Sequence, residues 1–106
     1  MSGASPTQLT LRHLRADGWT AEVVEHWNPH ARVRNDLFGF VDVLALRGDE
    51  TLAVQTTSVS NVPARVRKIA ESPLVGAVRE AGWSIRVHGW KKVSGRWTLA
   101  RDVDVS

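Results

Sequence analysis

The chain has 106 residues, and its 14 Lys and Arg against 11 Asp and Glu give a formal charge of +3 and a pI near 10.2. That is enough for a single domain, residues 1–106, with a modest core and no staples, and the moderate basic bias permits a polyanionic partner without demanding one. With no Cys and no Tyr, disulfides, thiolate zinc sites, a Cys nucleophile and strand transfer through a phosphotyrosine are excluded.

No apolar run approaches the roughly 20 residues of a membrane span, and the start lacks a signal-peptide pattern, so no membrane partner is expected. Taken in chain order, Ser5-Pro6-Thr7-Gln8 has the form of a capping box with Pro at the first helical position. The helix it starts carries one apolar stripe through Leu11 and Leu14, preceded by Thr7, and Gly18 closes it. Trp19 to Glu25 reads as a strand of β-branched and aromatic residues, broken by Asn28-Pro29. The polar, basic segment His26 to Asn35, with Arg32 and Arg34 around Val33, leads into a hairpin.

That hairpin pairs Phe40 to Leu46 with Thr51 to Gln55 across the turn Arg47-Gly48-Asp49-Glu50. With Gly48 and Asp49 as the loop, Leu46 faces Thr51, Leu44 faces Ala53 and Asp42 faces Gln55. Asp42 and Gln55 are then cross-strand neighbours, their Cβ atoms roughly 5 Å apart. Thr57 lies on the same face as Gln55. Both faces are otherwise apolar, so these strands are expected to be central and covered by helices. An acid on a buried strand needs a partner, and a bound cation is a natural candidate.

Asn61 can cap a helix with Pro63 in its first turn, burying Val62, Val66, Ile69 and Ala70, with Arg65, Arg67 and Lys68 on other faces. Ser72-Pro73 interrupts it and starts a second helix to Gly82, with Leu74, Val75 and Val78 inward. Trp83 to Trp90 is a strand with Ile85 and Val87 on one side and Arg86, His88 and Trp90 on the other. Lys91 to Gly95 is a basic turn, and Arg96 to Val103 is a final edge strand. The order α, β, β, β, α, α, β, β predicts an α/β fold with a central mixed β-sheet flanked by helices.

Each polar residue also has a plain structural reading. Asp42 can be a strand-end residue held by backbone amides, Gln55 its polar partner, and Thr57 an ordinary strand residue. Asp36 can pair with Arg34, while Arg65, Arg67 and Lys68 can be a solvated helix face. Trp90 beside Lys91 and Lys92 can stack on a base, but Trp83, Trp90 and Trp97 are equally placed to fill a core. His26, His30 and His88 lack the spacing of a metal site.

The pattern Gly39-x-x-Asp42, followed across a hairpin by Gln55-x-Thr57 and then a helix, resembles the PD-(D/E)xK nuclease superfamily. It is most similar to small Holliday junction resolvase-like and phage-encoded members. The resemblance extends over most of the chain, through NDLFGFVD, VQTTSVSNV and VHGWKK.

This resemblance implies a restriction-endonuclease-like αβββαβ core and a DNA endonuclease using Mg2+ or Mn2+ to hydrolyse phosphodiester bonds, branched DNA included. It also implies a homodimer in the cytoplasm of a bacterium or phage-infected host. Asp42 matches the family's strand acid and Gln55 its second acid position, so these two are the expected metal ligands, with Asp36 or Glu25 completing the set. Thr57 stands where the family has lysine, leaving Arg65 or Lys68 to project a cation back to the site. Arg32, Arg34, Arg65, Arg67, Lys68, Trp90, Lys91 and Lys92 are the expected DNA contacts. The alternative is a catalytically degenerate nuclease-fold module that binds nucleic acid or a protein partner.

Overall fold

The computed structural model describes residues 4–106. Its centre is the expected hairpin, β4 (Val43–Arg47) and β5 (Glu50–Ser58). Gly48, at φ +61°, opens the two-residue turn with the left-handed backbone that such a turn requires. The register is the expected one, with Leu46 opposite Thr51, Leu44 opposite Ala53 and Val43 opposite Val54. The ladder ends there: Asp42 N donates to Val54 O at 2.9 Å, and the Gln55 side chain meets the Asp42 carboxylate.

Around this hairpin, β1 (Thr20–Val23), β6 (Ser84–Val93) and β7 (Arg96–Asp104) complete a five-stranded sheet ordered β1-β4-β5-β6-β7. Only β5 and β6 run parallel, the other neighbours being antiparallel. The parallel step needs a crossover, and α2 (Val62–Ala70) with α3 (Val75–Glu80) supplies it. Alternation along β5 sends Leu52 and Val54 to one face and Ala53 to the other. Leu52 and Val54 pack with Val43, Ala45 and the helix α1 (Pro6–Ala16) through Leu11 and Leu14. Ala53 packs with Ile85, Val87 and residues Val62, Ile69, Val75 and Val78 of α2 and α3. Helices therefore cover both faces, and every residue of β5 from Leu52 to Thr57 is buried.

The start of α2 sits directly on β6. A Cβ at Gly89 would overlap Val62 Cγ2 and approach Val59 Cα to 3.1 Å, one of these neighbours being backbone. Gly89→Ala is therefore expected to destabilise the fold by about 1–3 kcal/mol, seen as a lower urea midpoint with an unchanged slope.

Several local expectations are corrected. The polar segment after β1 forms its own two-stranded ribbon, β2 (His26–Asn28) and β3 (Val33–Asn35). Asn28 Oδ1 accepts from His30 N at 3.0 Å and Ala31 N at 3.2 Å, so the Asn-Pro break becomes a side-chain-stabilised turn. Asn61 precedes α2 without a capping bond to the backbone, because its Nδ2 donates to Ser58 Oγ instead. Leu74, expected inward, is 45% exposed, since α3 begins only at Val75. Lys91 and Lys92 extend β6 instead of turning. The turn is Ser94-Gly95, where both residues have positive φ (+49° and +77°) as a type I′ hairpin demands. Ser5 does cap α1, accepting from Gln8 N at 3.2 Å.

Candidate metal centre

At one end of the sheet β1 and β4 stop while β5 continues, and a cavity of about 300 Å³ opens there between α1 and α2. Val24 N donates to the Asp42 carbonyl at 2.9 Å, which brings Glu25 alongside the start of β4. Asp36 arrives by a different route. Leu37 and Val41 form an antiparallel bridge closed by Phe38, Gly39 and Phe40, the first two left-handed at φ +56° and +82°. The three-residue loop is held by Phe40 N and Val41 N, both donating to the Leu37 carbonyl at 3.2 and 2.9 Å, and Asp36 and Asp42 stand just outside it. Carboxylate oxygens of Glu25, Asp36 and Asp42 all lie within 4.8 Å of one another, a group that can hold a metal ion.

Asp42 is the buried member, 3% exposed. Its Oδ2 accepts from Thr56 N and from Gln55 Nε2, each at 2.8 Å. Burial pushes its carboxyl up to about 7; the Thr56 amide opposes this, and the charges of Asp36 and Glu25 add to it. Glu25 Oε1 accepts from Thr7 Oγ1 at 2.9 Å and lies 3.4 Å from Arg34, whose own side chain is 69% exposed. Asp36 Oδ2 lies 3.4 Å from Lys68 Nζ. Three acids held this close repel one another, and the cations at the rim only partly offset that.

Gln55 supplies the second, independent feature. With Nε2 committed to Asp42, its Oε1 is the one buried side-chain polar atom among the described residues that has no hydrogen-bond partner. Such an orphan costs about 1–3 kcal/mol unless a cation or donor meets it. Gln55 lines the same cavity as the three acids. Three carboxylates, with an amide side chain lining the same cavity, offer hard oxygen donors of the type that suits Mg2+, Mn2+ or Ca2+.

Asp36, Asp42 and Gln55 are thus brought together as expected, and Glu25 joins them. Thr57 is buried, 6% exposed, and pairs with Gly89 on β6, while its neighbour Thr56 lines the cavity. Of the basic residues, Arg34, Arg65 and Lys68 line the cavity. Arg67 is exposed on α2, and Arg32 is exposed at the left-handed turn between β2 and β3 (φ +54°). Lys91 and Lys92 are exposed at the end of β6, with Lys92 Nζ 5.5 Å from the Trp97 ring centre. Trp90 is a correction: it is 6% exposed and donates Nε1–H to Thr10 Oγ1 at 2.9 Å, so its ring is not free to stack on a base.

Behind the cavity lies a buried polar chain that the sequence reading missed. Thr10 Oγ1 is 2.9 Å from Thr56 Oγ1 and 3.1 Å from His88 Nδ1, and His88 Nε2 is 3.5 Å from Asp102 Oδ1. Burial pushes His88 down to about 4, with His13 and Arg86 adding to this and Asp102 opposing it, so the ring is neutral at neutral pH. The available signal was a pair of threonines, Thr7 and Thr10, three residues apart on the face of α1 that also carries Leu11 and Leu14.

Comparisons with protein-family models, curated proteins and solved structures found no match. Among the described residues no helix is long and apolar enough to cross a membrane.

Proposed function

We propose that the chain is a metal-dependent nuclease with a restriction-endonuclease-like core, hydrolysing phosphodiester bonds in DNA with Mg2+ or Mn2+. The observation that carries this reading is Gln55 Oε1, a buried acceptor without a partner beside three carboxylates. The element order supports it too: α1, three antiparallel strands β1, β4 and β5, a helical crossover, then the parallel strand β6. On this reading β2 and β3 are an insertion.

Glu25, Asp36, Asp42 and Gln55 Oε1 would hold the ion. Bound there, it would lower the pKa of a coordinated water and neutralise charge on the phosphate. Arg34 and Arg65 draw the phosphate to the rim by charge. Lys68 takes the task that Thr57 cannot perform, since its ammonium reaches the acids from α2. Thr57 itself favours a second reading, a degenerate nuclease fold that binds nucleic acid or a protein without cutting.

The test is incubation of labelled duplex, branched and single-stranded DNA with Mg2+ or Mn2+, comparing the native chain with Asp42→Ala. The native chain is expected to cut only with metal, and the variant not at all. Cleavage that survives the substitution removes Asp42 from the mechanism. Tight binding without cleavage by the native chain selects the degenerate module.

A further inference from the structure

We propose that Thr10 is a positioning residue for the acid cluster: its hydroxyl, buried between α1 and the sheet, holds Thr56, whose backbone amide orients Asp42 for a divalent cation. The inference rests on the metal-centre reading above. A threonine hydroxyl has one proton and two lone pairs, and three groups surround that of Thr10: Trp90 Nε1 at 2.9 Å, Thr56 Oγ1 at 2.9 Å and His88 Nδ1 at 3.1 Å. The indole of Trp90 only donates, so it occupies one lone pair. His88 presents Nδ1 to Thr10 and has Nε2 3.5 Å from Asp102 Oδ1, too long for a good hydrogen bond. The proton of Thr10 and its other lone pair then serve Thr56 Oγ1 and His88 Nδ1. Every bonding position on Thr10 is used, and the hydroxyl ties α1 to Thr56 on β5 and to His88 and Trp90 on β6.

One acid hangs on this network, and a second is held by the same helix. Thr56 N donates to Asp42 Oδ2 at 2.8 Å, and the Thr56 side chain that pins this part of β5 is held by Thr10. Thr7, three residues before Thr10 and on the same helix face, donates to Glu25 at 2.9 Å. Thr10 thus holds the Thr56 side chain, and with it the stretch of β5 whose amide meets Asp42. Packing alone would be served by valine, the apolar isostere. Leu11 and Leu14 already anchor α1 to the sheet. A fully bonded hydroxyl at this spot has its reason in the acids behind which it stands.

The experiment is calorimetric titration of the full chain with Mn2+ at a temperature where every variant is folded by circular dichroism. The native chain is expected to bind, and Asp42→Asn to lose binding. Thr10→Val and Thr56→Val are expected to weaken it about 10- to 100-fold, the usual effect of removing an outer-shell partner. Thr10→Ser restores it. Thr56→Val leaves Thr10 bonded to Trp90 and His88, so it decides the matter should Thr10→Val not fold. Leu14→Ala, which loosens α1 through a cavity, keeps native affinity. If Thr56→Val binds like the native chain, or Leu14→Ala weakens binding as much as the threonine variants, Thr10 is only an anchor and the proposal falls with the metal centre intact. If the native chain binds no Mn2+, the metal centre fails and takes the proposal with it.

Discussion

Asp42→Asn is expected to abolish metal-dependent cleavage and, in the absence of metal, to make the protein more stable above pH 7. Both effects have one cause, an acid buried beside two others. Its folded pKa of about 7 lies above the ordinary 3.8, so the folded state holds a proton that the unfolded chain has released. Below pH 4 both states are protonated and there is no penalty. As pH rises toward 7 the folded state loses stability, by about 4 kcal/mol once Asp42 is ionised in both states. Asn removes the charge and can still accept the Thr56 amide.

His88 titrates in the same window with the opposite sign. Its folded pKa of about 4 lies below the ordinary 6.5, so stability is lost as pH falls from 6.5 to 4, by about 3 kcal/mol. In the native chain the two trends oppose each other, and urea midpoints between pH 4 and 7 should vary little. In Asp42→Asn only the His88 trend remains, so the midpoint should climb with pH across that range. A native chain that steadily gains stability from pH 4 to 7 would show that Asp42 ionises freely. Added Mn2+ should raise the native midpoint most at pH 8, where ionised Asp42 is available to bind it, and leave the variant unmoved.

The strand register was readable because Gly48-Asp49 names its own turn and the apolar runs on either side leave one alignment that buries them. Asp42 and Gln55 followed from that alignment alone. The Asp36 position did not, because it depends on Phe38 entering the left-handed region beside Gly39, and nothing in Phe marks it for that conformation. Glu25 reaches the cluster only through the backbone bond between Val24 and Asp42, a contact far apart in sequence. The threonine chain was hidden for a related reason. Thr10, Thr56, His88 and Trp90 lie on three separate elements, and each alone reads as an unremarkable helix or strand residue. Hydrophobic periodicity reports which face is buried, and it is silent on which buried polar atoms meet.

Lys68→Met is expected to lower cleavage by about 10²- to 10³-fold, the scale seen when one charge-stabilising group is removed from an active site. Methionine keeps an unbranched side chain of similar bulk and deletes the ammonium that lies 3.4 Å from Asp36. Stability should hardly change, because the Lys68 side chain is 39% exposed and such pairs contribute about 1 kcal/mol or less. Mn2+ affinity should hold or increase, since a positive charge beside the acids has been removed. Loss of rate without loss of metal separates a cation that acts on the substrate from one that merely neutralises Asp36.

The companion experiment places lysine at position 57, in the Lys68→Met background. At the sequence level Thr57→Lys restores the missing residue and should rescue the enzyme. In the fold, Thr57 is buried and stands beside the cavity instead of in it, with Gly89 as its partner on β6. A lysine there starts from a buried position outside the cavity lining, and burying an ammonium unpaired is unfavourable. No rescue and a lower urea midpoint are therefore expected. Rescue would mean that β5 shifts to carry position 57 into the cavity, and the place of Lys68 in the mechanism would be lost.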